Sequence, residues 1–425
     1  MSVADASAVA AAVADAHRRE WAFVLAATVR VTRDLDRAEE CAQEAFVAAL
    51  TDWRSNGVPD RPGAWLTTTA RRRALNVVRH RGVEAKYLPL LVEDETLPGP
   101  EHHVVDDEGP PIPDDRLRLV VTCCHPALDQ QAQVALTLRL LCGLSTAQVA
   151  RAFLVSEPTM AARITRAKKK IAVARIPYRV PAAAELPERV DAVLSVVHLL
   201  FTTGHTMPAG DELVRRDLVQ RSLELCGMLR RLLPRDPAVA GLLALLLLTD
   251  ARRETRTTPD GRLLLLDKQD RGRWDRATIA QGVSLVREAP RARPPSRYAL
   301  QAAIAAVHAE SPRWEDTDWP EVVALHDVLV QLWPSPVVSL NRAVAVGFAS
   351  GPLAGLAALE PLTTEPQLAG YGYLPAARAA LLRRLGRIDE AREAYTEALL
   401  MTENTVERAF LESRLRATAP PPPPA

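Results

Sequence analysis

The pattern that most constrains the fold of this chain is a series of capped helices in residues 133–171. An apolar helix stops at Gly143, a residue type that commonly terminates helices. Ser145 and Gln148 have the spacing of a capping box, which predicts that a second helix begins there. After a short connection, Ser156 is placed to cap a third helix. Two capped helices joined by a tight turn predict a helix-turn-helix unit.

The third helix has an apolar face and a basic face. Its apolar positions recur at helical spacing and predict one buried stripe, formed by Met160, Ile164, Ala167 and Ile171. The basic face comprises Thr159, Arg163, Arg166 and Lys170, widened by Lys168 and Lys169. Because the second helix of a helix-turn-helix enters the major groove, these six side chains are predicted to contact duplex DNA. The alternative is a helical hairpin whose basic face is only solvated.

The composition of the 425 residues favours helices over sheets. Aromatic residues make up only 4%, whereas Ala, Leu and Arg are abundant. The sequence therefore predicts an all-α protein of roughly two to four domains. The formal net charge of +1 gives no global sign of nucleic-acid binding, because acidic and basic segments cancel.

The cysteines and the N-terminal segment bear on the compartment. Five cysteines without regular spacing argue against a disulfide framework. The first residues lack a basic segment and include Asp5 and Asp15, unlike a secretory signal. The longest apolar run, residues 239–248, is too short to span a bilayer. These features predict a soluble, cytoplasmic protein without a membrane partner.

Residues 1–85 are predicted to form a first helical domain with two charged surfaces. One helix carries an acidic face that includes Asp36, Glu39, Glu40 and Gln43. The next helix begins near Trp65 and carries Arg71, Arg72, Asn76 and Arg79. Aromatic and arginine side chains together suit single-stranded DNA, through ring stacking and phosphate contacts. Two solvated faces are an equally good interpretation of these residues alone.

The rest of the chain divides at proline-rich boundaries. Residues 86–115 are acidic, rich in proline and aperiodic, which predicts an extended or disordered linker before the helix-turn-helix domain at 116–177. Residues 186–418 are predicted to form many helices, and 419–425 a proline-rich tail. Tetratricopeptide-like spacing occurs at Ala379, Leu382, Ala391, Tyr395 and Ala398, with a weaker copy at Ala343, Val346, Gly355 and Leu359. The spacing favours a repeat-like helical array over an ordinary helical hairpin.

Two groups of residues invite a metal or catalytic interpretation. Cys123 and Cys124 are adjacent and precede His125, so they lack the two-residue gap of a zinc knuckle, and buried thiols are preferred to metal ligands. His198 and His205 are more simply read as structural residues. No Ser-His-Asp order, Gly-rich phosphate loop or carboxylate pair stands out. The sequence therefore predicts no enzyme activity, no metal site and no cofactor.

Taken together, the two basic domains resemble a bacterial sigma factor of the extracytoplasmic-function group. Residues 34–50 (DLDRAEECAQEAFVAAL) resemble the polymerase-binding helix of region two, and residues 62–81 (PGAWLTTTARRRALNVVRHR) resemble the segment that melts the minus-ten element. Residues 133–171 resemble region four, which reads the minus-thirty-five element. TCCHPALD, at 122–129, is similar to the subgroup with a long C-terminal extension of tetratricopeptide-like helices. That subgroup usually begins its extension with an aromatic-Asn-Glu-Gly-Tyr pattern, where this chain has LLFTTGHT at 199–206.

The resemblance implies a transcription initiation factor whose partners are core RNA polymerase and promoter DNA, with a place for a regulatory protein on the C-terminal domain. The residues it implies for polymerase binding are Asp36, Glu39, Glu40 and Gln43. Those for the opened minus-ten strand are Trp65, Arg71, Arg72, Asn76 and Arg79. Those for the minus-thirty-five duplex are Thr159, Arg163 and Arg166, with Lys168, Lys169 and Lys170 on phosphates. One rival hypothesis is a helix-turn-helix regulator with a ligand- or protein-sensing domain that acts without polymerase; another is a helical scaffold.

Overall fold

The computed structural model describes residues 3–87, 115–153, 155–179, 181, 185–207, 209–288 and 294–418. Within these ranges the chain forms eighteen α-helices and one pair of two-residue strands, which confirms the all-α prediction. Most of the predicted linker and the whole predicted tail lie outside the described ranges. The chain divides into two compact units, Met1–Val196 and Val197–Ala425. No helix in the described part of the chain is long and apolar enough to cross a membrane.

The first unit contains seven helices and the beginning of an eighth. They are α1 (Val3–Thr32), α2 (Leu35–Asn56), α3 (Pro62–Tyr87), α4 (Asp115–Cys123), α5 (Gln130–Leu136, continued by a π-helix, Thr137–Leu141), α6 (Thr146–Ala152), α7 (Glu157–Val173) and α8 (Leu186–His205). Helices α1, α2 and α3 pack on one another, and α4 packs on α1. Asp34 begins α2 by accepting hydrogen bonds from the Asp36 and Arg37 amides. The apolar stripe of α2 from Ala38 to Trp53, at helical spacing, is buried in this group, whereas Val47 points to solvent.

The helix-turn-helix forms with the predicted caps. The Ser145 amide donates to Gln148 Oε1 at 2.8 Å, and the Gln148 amide donates to Ser145 Oγ at 3.2 Å. Ser156 Oγ accepts from the Thr159 amide at 3.4 Å. Gly143 ends the preceding helix with a φ of 68°, and a Cβ there would lie 2.9 Å from His17 Cε1 on α1. Gly143 therefore meets both a backbone requirement and a steric one.

The second unit contains the end of α8 and ten further helices. They are α9 (Arg216–Leu232), α10 (Pro237–Asp250), α11 (Arg276–Glu288), α12 (Arg297–Glu310), α13 (Trp319–Leu332), α14 (Pro336–Ala349), α15 (Pro352–Leu359), α16 (Tyr373–Arg384), α17 (Ile388–Leu400) and α18 (Thr405–Ala417). Helices α9 to α18 pack mainly on their neighbours in chain order, as in a repeat array. Gly241 allows α10 to approach α12 closely, since a Cβ there would lie 2.7 Å from the Ala299 amide nitrogen.

The predicted repeat positions form a packed core at the end of the chain. Ala379 and Leu382 of α16 pack against Ala391, Tyr395 and Ala398 of α17, and all five are buried. In the weaker copy, Ala343 and Leu359 share a second cluster. A Cβ on Gly355 would lie 2.7 Å from Gly347 Cα, so α14 and α15 meet at two glycines. Small residues therefore set the close helix contacts, as the alanine-rich spacing predicts.

The beginning and the end of the second unit are hydrogen-bonded to each other. Strand β1 (Ala209–Gly210) pairs in parallel with β2 (Glu403–Asn404). The Asn404 side chain is fully buried and donates to the Met207 and Glu212 carbonyls at 3.1 and 2.9 Å. Its oxygen also caps α18, accepting from the Val406 and Glu407 amides. One side chain therefore joins the two ends of the helical array.

Candidate nucleic-acid interface

The outward face of α7 is basic and exposed. The four apolar positions predicted to be buried on α7, Met160, Ile164, Ala167 and Ile171, are all buried. At about 100° per residue, Thr159, Arg163, Arg166 and Lys170 lie together on a neighbouring stripe, about 100° around the helix from the buried one. All of them except the partly buried Arg163 are exposed, as is Lys169 beside them. The helix therefore presents cationic donors to solvent from a well-packed base.

Two contacts hold the N-terminal part of this face. The Arg163 guanidinium lies over the Phe153 ring, 5.5 Å from its centroid. A cation over an aromatic face is attracted by the ring quadrupole, which restrains this arginine without neutralising it. Thr159 Oγ1 lies 2.8 Å from Ser156 Oγ, so the capping residue also orients the threonine hydroxyl.

Lys168 does not share the exposed face on which the prediction placed it. It follows Arg166 by two residues and so lies about 200° around the helix, beside the buried stripe. Its Nζ donates to Asp36 Oδ1 at 2.6 Å and to Glu39 Oε2 at 2.8 Å, both on α2. Burial alone would lower the pKa of Lys168, but the Glu39 and Asp36 carboxylates outweigh that effect and raise it. In this conformation the ammonium group binds protein carboxylates and cannot reach DNA.

Arg139 is the second cation at this contact and was not predicted. Its guanidinium forms an ion pair with Glu39 and donates to the Leu144 carbonyl at 2.8 Å. Glu39 is itself buried and also accepts from Gln43 Nε2 at 3.3 Å. The available signal in the sequence was a single charge within the apolar run LTLRLLCGL, because a buried charge requires a partner.

The four acidic-face candidates on α2 differ in accessibility. Glu39 is covered by Lys168 and Arg139, whereas Asp36, Glu40 and Gln43 are exposed. Trp21 of α1 strengthens the same contact, because its Nε1 donates to the Leu140 carbonyl at 3.0 Å. The helix-turn-helix therefore packs directly on the helices that carry the acidic face.

The second predicted interface lies along α3. Arg71, Arg72, Asn76 and Arg79 are all exposed. Trp65 is half-buried and packs edge-on against Trp53, with ring centroids 5.8 Å apart. Trp65, Arg72, Asn76 and Arg79 are separated by seven, four and three residues, which places them on one face of the helix. The structure thus places a ring and three polar side chains along one line.

The cysteine pair is buried, as the sequence indicated. Burial raises the pKa of Cys124 to about 12, although a contact with Thr137 Oγ1 at 3.6 Å opposes this. Burial likewise raises the pKa of Cys123 well above its usual value. His125 lies beside Arg189, with 3.1 Å between Nε2 and Nη2. Such protonated, enclosed thiols suit packing rather than metal binding or nucleophilic chemistry.

Comparisons with known families match three separate parts of the chain. Residues 17–83 match Sigma-70 region 2, and residues 118–171 match Sigma-70, region 4. Residues 189–290 match a family of unknown function, DUF6596. The two sigma matches contain the acidic and basic faces of α2 and α3, and the helix-turn-helix.

The comparisons also include a relative that spans nearly the whole chain. An uncharacterised protein of Rhizobium meliloti (strain 1021) is 42% identical over 400 residues, which is 94% of each chain. No solved structure matches the chain. The region 2 match covers the charged faces of α2 and α3, and the region 4 match covers the basic face of α7. The chain therefore belongs to the sigma-70 family of transcription initiation factors and carries a C-terminal extension of the DUF6596 family.

Proposed function

We propose that this chain is a cytoplasmic sigma factor of the extracytoplasmic-function type, which directs core RNA polymerase to specific promoters and helps to open them. The observation that carries the proposal is the outward face of α7 within the region 4 match. Arg163, Arg166 and Lys170 lie on this face, and the apolar stripe beside them is buried and fixes the helix. An amphipathic basic helix presented by a capped turn has the geometry that enters a major groove.

The α7 face would hold the minus-thirty-five duplex. Thr159 and Arg163 lie in the N-terminal half of α7, which is the part that meets base edges in helix-turn-helix complexes, and Arg166 lies at its middle, one turn farther along the same face. Lys169 and Lys170 lie farther along and suit phosphates. Replacing a base-reading arginine costs about 1–3 kcal/mol for the preferred sequence, whereas replacing a phosphate-contacting lysine weakens binding to all sequences.

The α3 face would hold the opened strand of the minus-ten element. Trp65 offers part of an aromatic ring, and Arg71, Arg72, Asn76 and Arg79 offer exposed donors along the same helix. Stacking on an aromatic ring contributes about 1–3 kcal/mol per base and tolerates different bases. Trp65 also packs on Trp53, so its indole is held in place by the protein before DNA binds.

The acidic face of α2 would meet the polymerase. Asp36, Glu40 and Gln43 are exposed, but Glu39 is occupied by Lys168 and Arg139 from the helix-turn-helix. We infer that polymerase binding separates α7 from α2, because the same carboxylates cannot serve both partners. The separation would also free Lys168 to contact DNA phosphates, as the sequence predicted.

The C-terminal helical unit would modulate this activity, by binding a regulatory protein or small molecule. Support comes from its separate core and its repeat-like packing, an architecture that presents extended binding surfaces. A chain that ends at residue 185 tests this role. Its promoter activity should differ from that of the full chain at equal occupancy of core polymerase; equal activity would refute the modulating role.

A reconstituted transcription assay tests the sigma assignment. The full chain is mixed with core RNA polymerase and a promoter library, and start sites are mapped by sequencing. We expect promoter-specific initiation, with a loss of about tenfold or more for Arg163→Ala and for Arg166→Ala. Arg19→Ala removes an exposed arginine from α1 and is the matched control.

Three outcomes separate the hypotheses. Initiation at a shared promoter sequence supports the sigma factor. Binding to duplex DNA without core polymerase, and without initiation, would instead support a helix-turn-helix regulator. The absence of both initiation and duplex binding would support a helical scaffold. If Arg163→Ala and Arg166→Ala initiate as well as Arg19→Ala, the α7 face does not read the promoter.

A further inference from the structure

A large cavity lies within the C-terminal unit. Its volume is about 1020 Å³, and it is lined by α8, α10, α12, α13 and α14 together with the segments around Trp274 and Tyr371. Small-molecule sites in proteins usually occupy roughly 300–1,000 Å³. The cavity therefore has room for a ligand and extends well beyond an ordinary packing defect.

The lining of the cavity is rich in aromatic residues, although the chain has few of them. The sequence holds seven tryptophans, six tyrosines and six phenylalanines. Seven of these line the cavity: Phe201, Trp274, Trp314, Trp319, Phe348, Tyr371 and Tyr373. Trp319 and Phe348 stack with centroids 4.5 Å apart, and Trp314 stands edge-on to both. This cluster is a preformed apolar surface of the kind that holds rings and alkyl chains.

The wall of the cavity carries a positive charge. Arg252 lines it, and its Nε is buried without a hydrogen-bond partner. Among the described residues, no carboxylate forms an ion pair with Arg252. Burial, followed by the nearby Arg271, lowers the pKa of Arg252 to about 10, so it remains protonated at neutral pH. A partly buried guanidinium without a counterion is destabilising unless an anion reaches it.

The two neighbouring arginines are already engaged. Arg271 donates to the His308 and Ser311 carbonyls at 2.6 and 2.7 Å. Arg256 donates to the His205 carbonyl and to Thr206 Oγ1. Arg271 Nη2 is buried without a hydrogen-bond partner, but neither Arg271 nor Arg256 lines the cavity, so both add only positive potential to it. Arg252 is therefore the cation with donor capacity directed at the cavity.

Uncharged polar atoms complete the lining. His205 Nε2, His308 Nδ1, His326 Nδ1 and Gln301 Oε1 are buried without a hydrogen-bond partner, and all four residues line the cavity. Burial is the main cause that lowers the pKa of His308 and of His326 to about 4, and it also lowers that of His205. The imidazoles are therefore neutral and offer hydrogen bonds, not charge. Buried polar atoms in proteins are nearly always hydrogen-bonded, so these four atoms predict that a ligand in the cavity carries polar groups.

The motif that departs from the related subgroup lies on this wall. Phe201, Thr202, Thr203, His205 and Thr206 all line the cavity. Gly204 turns away from it and packs on α9, where a Cβ would lie 2.6 Å from Leu218 Cβ. The residues that differ are thus placed to select a ligand, while the glycine holds the helix contact.

We propose that this cavity binds a small organic acid, with its carboxylate on Arg252 and an aromatic or alkyl body among Trp314, Trp319 and Phe348. The β1–β2 pairing and Asn404 join the two ends of the unit, which restrains the cavity walls before a ligand enters. The neutral imidazoles bind the polar substituents of the ligand. This assignment stands whether or not the chain is a sigma factor.

Isothermal titration calorimetry on the full chain tests the proposal with 2-naphthoate and with its uncharged isostere, 2-naphthamide. We expect naphthoate to bind at least tenfold more tightly, because a hydrogen bond to a charged partner is worth that factor or more. Arg252→Gln should abolish the preference, and Trp319→Leu should weaken both probes equally. Arg262→Gln, which replaces an exposed arginine outside the cavity lining, is the matched control.

The comparison of the two probes on the unmodified chain needs no variant and decides the proposal if Arg252→Gln does not fold. The proposal is overturned if neither probe binds, or if the two bind with equal affinity. It is also overturned if Arg252→Gln and Arg262→Gln keep the same preference for naphthoate. Failure of the transcription assay would leave this result untouched, so the two proposals fail independently.

Discussion

Replacing Lys168 by methionine tests whether the helix-turn-helix is held on α2 by a specific charge contact. The Lys168 side chain is 10% exposed and the Glu39 side chain 7%, so this arm of the contact is shielded from solvent. The other arm reaches Asp36, which is 67% exposed and adds less than about 1 kcal/mol. Methionine keeps the length and packing of the side chain but removes the charge.

The expected loss follows from what remains after the change. A buried charge-assisted hydrogen bond is worth about 1.5–3 kcal/mol. Arg139 still pairs with Glu39 in the variant, so the carboxylate is not left uncompensated and the larger penalties of about 3–5 kcal/mol do not apply. We expect the free energy for opening α7 to fall by about 2 kcal/mol, which is roughly a 30-fold increase in the opening equilibrium constant.

Native-state hydrogen exchange of the α7 amides measures this quantity, because these amides exchange when the helix unfolds and leaves α2. Exchange should be about 30-fold faster in Lys168→Met. Lys169→Met, one residue along and exposed, should exchange at the original rate. A double-mutant cycle with Glu39→Gln should give a coupling energy of at least about 1 kcal/mol. Equal exchange in the two lysine variants would refute the reasoning.

Three further changes test the second unit. Burial is the main cause that lowers the pKa of His198, His308 and His326 to about 4, below their unfolded value near 6.5. Their contribution to stability is therefore complete above pH 6.5 and is lost as the pH falls towards 4, by up to about 3 kcal/mol each, which urea unfolding at stepped pH would show. Gly204→Ala should lower the melting temperature through a loss of about 1–3 kcal/mol, because its Cβ would lie 2.6 Å from Leu218 Cβ. Asn404→Ala should cost about 2–4 kcal/mol in urea unfolding, because it removes a helix cap and two buried hydrogen bonds.

Each of these changes has a matched control. His308→Gln should reduce the loss of stability between pH 6.5 and 4, and an unchanged slope would contradict the buried neutral imidazole. Gly227→Ala places a Cβ no nearer than 3.8 Å to the side chains around it, so it should leave the melting temperature unchanged or raise it. Asn404→Asp keeps the capping oxygen and loses the two donors; if it is as stable as the original chain, the tie between the ends of the unit contributes nothing.

Local chemistry made the helix-turn-helix predictable. Ser145, Gln148 and Ser156 act within three residues of the amides they cap, so their spacing in the sequence is sufficient to predict the caps. The stripe from Met160 to Ile171 follows from helical periodicity in the same way. The repeat positions on α16 and α17 were also predictable, because the two helices are adjacent in the chain.

Long-range partners were not predictable from the sequence. Lys168 was grouped with its basic neighbours, but its actual partners lie on α2, 132 and 129 residues away.

The residues that line the cavity were also not predictable from the sequence. His198 and His205 were interpreted as structural residues, and only tertiary packing brings them into the same space as His308 and His326. No local pattern encodes which distant side chain completes such a group, since several pairings satisfy the same periodicity.

The contact between Lys168 and α2 gives the proposed sigma factor a physical reason to open only on polymerase. Glu39 is neutralised by Lys168 and Arg139 in the free chain, so a polymerase surface must supply cations that replace both. DNA cannot replace these cations, because its phosphates are negatively charged and repel the carboxylates of α2. DNA could draw only on Lys168, and it would leave Glu39 with one of its two cations. The contact therefore withholds Lys168 from phosphates until polymerase removes it, while the rest of the basic face of α7 stays exposed in the free chain. Without core polymerase, Lys168→Met should bind duplex DNA as tightly as the original chain, whereas Lys169→Met, which loses an exposed phosphate contact, should bind more weakly. Weaker binding by Lys168→Met would contradict this reasoning.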